Sequence, residues 1–137
     1  MKAVGEQATR RYPVDQALVD RYAEVSGDRN PLHVDPAFGA SAHFGRTIAH
    51  GFMTLAFLSD ALTHAFGSRW AAGGVLDVAF VAPVFPGDVV EVSLDVETVD
   101  EAAQRIHCKL TCVAGERTVL AGQASVDSER EQKNVRA

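Results

Sequence analysis

The residue types best suited to proton transfer are concentrated between residues 26 and 36, which read Ser-Gly-Asp-Arg-Asn-Pro-Leu-His-Val-Asp-Pro. Asp28 and His33 stand five residues apart, and Pro31 stiffens the turn between them. A carboxylate and an imidazole that converge on one small volume can carry out general acid-base chemistry on a single water molecule. Structural roles are the alternative, since Asp28 and Asn30 can bond turn amides and His33 can cap a short helix. The spacing therefore predicts a candidate catalytic pair and leaves a structural role open.

A second candidate feature is the segment Ile48-Ala49-His50-Gly51, at the start of a helical apolar pattern. Backbone N–H groups at the start of a helix have no partner within the helix and lie at the positive end of its dipole, so they can bind a developing oxyanion. Glycine at position 51 lets a ligand approach closely, although backbone geometry alone could also require it. Gly51 is therefore a candidate for an oxyanion amide, and for His50 a structural, hydrogen-bonded role is favoured over a catalytic one.

Ser59 is the third candidate, because it falls on a helical stripe with Leu55, Leu62 and Phe66 and should face the interior with them. A hydroxyl in that position can bond to the carbonyl one turn earlier, or it can hold an acidic side chain in place. If that acidic side chain is Asp28, the loop and the helix form one site.

Local signals predict the elements that carry the first candidate pair. A strand is expected from Ala8 to Val14, followed by Asp15 as the N-cap of an amphipathic helix that ends at Ser26-Gly27. Asn30-Pro31 and Asp35-Pro36 each predict a short helical turn with proline at its first position. Asp28 and His33 are therefore expected on an ordered loop with short helices.

The second half of the chain predicts one buried helix and a sheet. From Gly51 to Phe66 the apolar residues fall on nearly every side of a helix. After Gly74, apolar and polar residues alternate as in strands, most clearly from Val90 to Glu97 and from Ile106 to Cys112. Turn sequences between these runs predict an antiparallel meander of about four strands. The fold class is α+β, and the open edges of such a sheet favour a dimer formed through it.

Composition excludes several classes of protein. A length of 137 residues allows one domain, expected over residues 1–127, with a charged and mobile tail over residues 128–137. The net charge of −5 argues against a nucleic-acid binder. The polar first 14 residues are not typical of a secretory signal, and no apolar run approaches the roughly 20 residues needed to span a bilayer. We therefore expect a soluble cytoplasmic protein without membrane contact.

The cysteines and histidines give no sign of a disulfide or a metal site. Cys108 and Cys112 would lie on one face of a strand about 13 Å apart, too far to pair with each other. Two reduced thiols agree with a reducing compartment. The five histidines have no spacing with carboxylates or cysteines that predicts a zinc site. Neither a metal nor another cofactor is expected.

Together these motifs resemble the MaoC-like, or (R)-specific enoyl-CoA hydratase, family, which has the hot-dog fold, an antiparallel sheet wrapped around a long central helix. The resemblance runs from Tyr22 to Val126. It depends on Ser26-Gly27-Asp28, Asn30-Pro31-Leu32-His33, Asp35-Pro36-Ala37-Phe38, Ile48-Ala49-His50-Gly51 and the segment from Phe80 to Asp88. The departures from the family pattern are Thr47, where many members have proline, and the bulky Phe52-Met53-Thr54. They bear on pocket shape more than on reaction class.

The resemblance implies (R)-specific hydration of trans-2-enoyl-CoA to 3-hydroxyacyl-CoA, or the reverse dehydration. It makes Asp28 and His33 the catalytic pair, with Asn30 shaping their loop. It also implies that Gly51 supplies the oxyanion amide and that Ser59 supports the aspartate.

The resemblance further implies a thioester substrate carried by coenzyme A or by acyl carrier protein. The homodimer expected from the sheet edges leaves a dimer of dimers open. The apolar helix residues expected to line an acyl pocket are Leu55, Leu62 and Phe66. The cationic residues that could meet a phosphate, among which the sequence does not choose, are Arg46, Arg69, Lys109 and Arg117.

Two other functions remain open at this point. A hot-dog thioesterase would combine the helix-start glycine with an acid on the buried helix, for which Asp60 could serve, and would release a free thiol. The motif from Asp28 to His33 argues against it. A noncatalytic acyl-thioester binding subunit is the other alternative, but it would have no need of both residues.

Overall fold

A computed structural model gives the structure of residues 1–128. Its elements, in chain order, are β1 (Gln7–Pro13), α1 (Gln16–Ser26), α2 (Pro31–Val34), α3 (Pro36–Ser41), α4 (Gly51–Phe66), α5 (Ser68–Gly73), β2 (Val75–Phe80), β3 (Val89–Asp100), β4 (Arg105–Ala114) and β5 (Arg117–Asp127). The five strands form one antiparallel sheet in the order β1-β3-β4-β5-β2. The predicted architecture, an antiparallel sheet with one long helix, is confirmed.

The sheet is not a simple meander, which corrects the predicted topology. β3, β4 and β5 follow one another as expected, but β2 pairs with β5 and forms an edge of the sheet. The connection from β2 to β3 spans residues 81–88, too long for a tight hairpin. Its first residue is tied to β5 instead, because the Val81 amide donates to the Val119 carbonyl at 2.9 Å.

The core lies between α4 and one face of the sheet. Alternate residues of β3 and β4 are almost fully buried, whereas the residues between them are more exposed, as the period of a strand requires. The helix contributes Met53, Leu58, Leu62 and Phe66 to the same cluster. Burial of each such side chain contributes about 1.5–3 kcal/mol. This cluster holds α4 rigidly against the sheet.

One side of α4 is open in the single chain, which corrects the prediction of burial on nearly every side. Phe52 is 70% exposed, and Ala56 and Asp60 on the same side are also exposed. An apolar side chain as large as Phe52 in this position leaves a surface that another molecule can cover.

The short-range signals of the first half are confirmed. The Asp15 carboxylate accepts a hydrogen bond from the Leu18 amide at 2.7 Å and caps α1. Gly27 ends the helix in the left-handed conformation, with φ of 80°. The sequence analysis did not predict α5, which follows α4 directly after Gly67.

Cys108 and Cys112 are both buried on the core face of β4 and are free thiols. Burial raises the pKa of Cys108 to about 11 and that of Cys112 to about 12. Both are therefore packing residues, and the prediction that they do not pair with each other is confirmed.

The last described residue is hydrogen-bonded to the rest of the fold, since the Ser128 amide donates to the Gln104 carbonyl at 2.9 Å. Residues 129–137 of the predicted tail lie outside the described residues, and the domain boundary at residue 127 stays a prediction. No helix within residues 1–128 has the length and apolar content needed to cross a membrane.

Candidate active site

Asp28 lies in the turn between α1 and α2, where hydrogen bonds between backbone amides and side-chain oxygens hold it. Its amide donates to Ser26 Oγ at 3.1 Å, and its Oδ1 accepts from the Asn30 amide at 3.2 Å. Asn30 Oδ1 accepts from the Leu32 amide at 3.0 Å and so caps α2. The carboxylate of Asp28 remains exposed on this turn. The turn therefore presents an acidic group to any ligand that binds next to it.

The ring of His33 is fixed by the segment that leads into α4. Its Nδ1 lies 2.8 Å from the Ile48 carbonyl oxygen. Because a carbonyl can only accept, Nδ1 carries the hydrogen and Nε2 has a free lone pair. The Leu32 carbonyl also accepts from the Ile48 amide at 3.2 Å. These bonds join the α2 loop to the approach of α4 and leave His33 Nε2 available for proton transfer.

Gln16 supports this loop, a role that the sequence analysis missed. Its Nε2 donates to the His33 carbonyl at 2.8 Å, and its Oε1 accepts from the Thr47 hydroxyl at 2.7 Å. Thr47, which departs from the family pattern, is buried and uses its hydroxyl for this bond. Gln16 could not be found from sequence because it stands 17 residues from its partner His33.

His50 connects the two halves of the site. Its Nε2 lies 2.8 Å from the Asp28 carbonyl oxygen, so Nε2 carries the hydrogen and donates it. Its ring stacks on that of His33, with centroids 3.9 Å apart and planes 27° apart. Tyr22 lies near it, with ring centroids 4.8 Å apart. The supporting role expected of His50 is thus given a definite set of contacts.

Asp28, His33 and His50 form one cluster, in which one carboxylate oxygen and one nitrogen from each ring lie within 4.8 Å of one another. The spacing of the histidines did not predict it. A metal ion binds an imidazole along its lone pair, in the ring plane and at about 2.0–2.1 Å for zinc. Two nearly parallel rings 3.9 Å apart do not direct lone pairs at one such point. The cluster is better suited to proton transfer than to shared coordination.

The helix α4 begins at Gly51, directly beside this cluster. His50 occupies the N-cap position but makes no side-chain capping bond. Within residues 1–128, the Gly51 amide has no acceptor in the protein. A cavity of about 390 Å³ opens at Gly51, and its walls include Phe44, Ile48, Phe80, Val81 and Pro83. The amide can therefore donate to a ligand that enters this cavity.

The three residues predicted for the acyl pocket do not line the cavity at Gly51. Leu62 and Phe66 are buried in the core between α4 and the sheet, and Leu55 is half-buried against it. The helical stripe correctly placed them on an inward face, but that face is filled by strand side chains. Their role in binding an acyl chain stays a prediction.

Ser59 does not support Asp28 through a hydrogen bond within the described chain, contrary to the expectation. Its hydroxyl accepts from Trp70 Nε1 at 2.9 Å. The reason is α5, which follows α4 and places Trp70 over the helix. Ser59 also stands eight residues into α4, about 12 Å along the axis from Gly51.

Asp60, the acid considered for a thioesterase, belongs to a separate polar group on β1 and α4. Its Oδ2 accepts from the Tyr12 hydroxyl at 2.7 Å, and Arg10 and His64 lie 3.6 Å and 3.5 Å from its carboxylate. Burial, and then the bond to Asp60, raise the pKa of Tyr12. Asp60 stands nine residues after Gly51, a rise of about 14 Å along the helix axis. It does not face a carbonyl group bound at the Gly51 amide.

A double-mutant cycle on unfolding free energy can check the partner of Ser59. We expect Ser59→Ala and Trp70→Phe to show a coupling of about 0.5–1.5 kcal/mol, the usual contribution of one hydrogen bond. Ser59→Ala and Asp28→Ala should be additive, because these residues share no bond. A coupling of similar size between Ser59 and Asp28 would show that the assignment of Trp70 as its partner is wrong.

Comparisons with known proteins identify the family of this chain. A family model described as a MaoC like domain matches residues 2–117. The 3-hydroxybutyryl-CoA dehydratase of Methylorubrum extorquens is 35% identical over 134 residues, which cover 95% of this chain and 83% of that protein. The (R)-specific enoyl-CoA hydratase of Aeromonas caviae is 34% identical over 98 residues, which cover 72% of this chain and 73% of that protein.

The fold is also shared with a solved structure, that of the (R)-hydratase from A. caviae involved in PHA biosynthesis. The two structures superpose with a TM-score of 0.81 and 30% identity, over 93% of this chain and 97% of that one. The predicted hot-dog fold is therefore confirmed. This protein belongs to the family of MaoC-like domains.

Proposed function

We propose that this protein is a hydro-lyase that adds water to trans-2-enoyl-CoA to give (R)-3-hydroxyacyl-CoA, or catalyses the reverse dehydration. The observation that carries the proposal is the meeting of the Asp28 carboxylate with an imidazole nitrogen of His33, beside the unpaired Gly51 amide. Relatives named for hydration and for dehydration support it, since both directions pass through one transition state.

The Gly51 amide is proposed to bind the thioester carbonyl oxygen of the substrate. Addition to the conjugated double bond moves negative charge onto that oxygen, and an N–H group at a helix start stabilises it. The amide is already directed and needs no reorganisation, because α4 is packed against the sheet over its length. The cavity at Gly51 gives the thioester a route to this amide.

Asp28 and His33 are proposed to hold the attacking water between the carboxylate and Nε2. The water oxygen forms a bond to the β-carbon while the pair removes one proton from it. The pair delivers one proton to the α-carbon, and the double bond becomes a single bond. Because one pair carries out both transfers from one side, addition is syn. The two residues act as one unit, and His33 keeps its Nδ1 hydrogen on the Ile48 carbonyl throughout.

The position and the hydrogen bond of Asp60 argue against the thioesterase alternative. A hydrolytic acid or base has to reach the thioester carbonyl, whereas Asp60 is bonded to Tyr12 and lies about two and a half turns from Gly51. The noncatalytic alternative is disfavoured by the cluster itself, since binding alone does not require an acid-base pair.

Two arginines that lie behind the cavity wall, next to Phe85, are proposed to bind the phosphates of coenzyme A. The guanidinium groups of Arg46 and Arg117 lie 4.7 Å and 4.9 Å from the ring centre of Phe85. Phe85 contacts Phe44 edge-on, and Phe44 lines the cavity at Gly51. Arg117 also pairs with the Asp88 carboxylate, so Arg46 carries the charge that is more available to a diphosphate leaving this cavity.

The other cationic candidates lie elsewhere. Arg69 donates to the Phe66 carbonyl at the far end of α4, about 23 Å from Gly51 along the helix axis. Lys109 is exposed on β4 between core residues, so its side chain points away from α4. We therefore assign the phosphate contact to Arg46 and Arg117.

A homodimer formed through the sheet is also proposed, with β2 as the contact strand. β2 is an edge strand, and Val75, Phe80 and Val81 on or next to it are more than half exposed. An edge with this much apolar surface favours pairing with a second copy. Light scattering in solution should give twice the mass of one chain, and a monomer mass would contradict the proposal.

The cytoplasmic location stays a prediction from the sequence.

Substitution of the pair tests the reaction directly. With crotonyl-CoA, we expect Asp28→Asn and His33→Asn to lower kcat by about 100-fold to 10,000-fold, because each removes one partner in proton transfer. Asn at position 33 keeps a donor for the Ile48 carbonyl and lacks the second nitrogen. Loss of enoyl absorbance and appearance of free thiol are followed together.

Asp60→Asn is the matched control for these variants and is expected to keep kcat within about twofold of the parent. The hydro-lyase is supported if the parent and Asp60→Asn consume the enoyl thioester without releasing thiol, while Asp28→Asn and His33→Asn do not. Thiol release that Asp60→Asn abolishes would move the assignment to a thioesterase.

Substitution of Arg46 tests the phosphate contact. Arg46→Ala should raise KM for crotonyl-CoA about fivefold and leave kcat unchanged, since one exposed charge pair is lost. Lys109→Ala is the control and should leave KM unchanged. Crotonyl-pantetheine, which has no nucleotide, should react equally with the parent and with Arg46→Ala. An equal rise in KM for both thioesters would exclude a phosphate contact.

A further inference from the structure

The side chain of His50 does not perform the usual task of its position. A polar residue at the N-cap ordinarily accepts a hydrogen bond from an amide of the first helical turn. His50 has the extended backbone of an N-cap, with φ of −62° and ψ of 137°, yet it makes no such bond. Its ring is instead 98% buried and turned toward the loop that carries Asp28. The side chain therefore caps no amide of the first turn, and the Met53 amide donates to the His50 carbonyl at 3.1 Å instead.

The ring of His50 contacts both members of the proposed pair. Its Nε2–H holds the main chain of Asp28, and its face lies against the ring of His33. Tyr22 on α1 limits the space for His50 from another direction. One rigid side chain thus touches the acid, the imidazole and, through its own backbone, the start of α4.

His50 is poorly suited to transfer a proton itself. Its only hydrogen-bearing nitrogen, Nε2, is bonded to a carbonyl oxygen. Its other nitrogen, Nδ1, is buried and has no hydrogen-bond partner within the described chain. The contacts therefore indicate a residue that acts through its neighbours.

We propose that His50 is a positioning residue of the site, which sets Asp28 and His33 relative to each other next to the Gly51 amide. This inference rests on the proposed hydration. Asp28 lies on an exposed turn and His33 on a helix of four residues, so neither is fixed by a long element. His50 ties both to α4, which the core holds in place. A displacement of about 1 Å at such a site can lower the rate about 100-fold.

Two substitutions separate the two contacts. His50→Gln keeps an N–H group near the place of Nε2 and removes the stacked ring. His50→Phe keeps a flat ring and removes the donor. His50→Ala removes both, and His64→Ala, at an exposed histidine on the same helix, is the control. Crotonyl-CoA hydration and the melting temperature are measured for all four variants.

We expect His50→Ala to lower kcat about 100-fold with KM within about twofold, because geometry is lost and substrate contacts are kept. His50→Gln and His50→Phe should each recover about tenfold of that loss. His64→Ala should match the parent. A folded His50→Ala with parental kcat, or a loss confined to KM, would overturn the proposal. If the folded Gln and Phe variants are as inactive as Ala, neither contact recovers activity and the proposed positioning role is wrong.

Nuclear magnetic resonance tests the arrangement without catalysis. Long-range correlation of ring protons and nitrogens in ¹⁵N-histidine protein identifies which nitrogen carries the hydrogen. We expect Nδ1–H for His33 and Nε2–H for His50, and broadened His33 ring signals in His50→Ala. The opposite hydrogen position on His50 would exclude its bond to Asp28. If these signals are as expected but the parent hydrates no enoyl thioester, the contacts stand and the proposed function fails.

Discussion

The site depends on the pairing of two loop segments, in which the Ile48 carbonyl accepts from His33 and the Ile48 amide donates to Leu32. Without these bonds, the acid-base loop and the start of α4 would be independent turns. With them, an imidazole that is fixed by its Nδ1–H faces the same volume as a helix-start amide. The pairing uses backbone groups at 48, so it depends little on which apolar side chain stands there.

The sheet contributes rigidity rather than chemistry. Alternate residues of β3 and β4 bury one face of α4, and this packing holds the direction of the Gly51 N–H group. The opposite side of α4, which includes the exposed Phe52, and the open edge of β2 are left without partners in the single chain. Both belong to surfaces that association with a second copy can cover.

Much of the first half could be predicted because its signals are local. Asp15, Asn30 and Asp35 each cap the helix that follows them, and their side chains act within three residues. The contacts that sequence analysis missed cross long distances along the chain. Gln16 meets Thr47 across 31 positions, and Trp70 reaches Ser59 only because α5 folds back over α4. Such long-range contacts leave no periodic pattern of residues in the sequence that could predict them. The edge position of β2 is likewise set by tertiary packing, since the alternation of its side chains would suit a central strand equally well.

The uncapped start of α4 sets thermal stability against activity at one position. Serine or aspartate at residue 50 would cap the helix and add about 1 kcal/mol to the free energy of unfolding. Either replacement would also remove the ring of His50 and with it the bond to the Asp28 carbonyl. A screen for variants with a higher melting temperature would therefore favour replacements here that break this contact. On the role proposed for His50, such variants would gain stability and lose activity together.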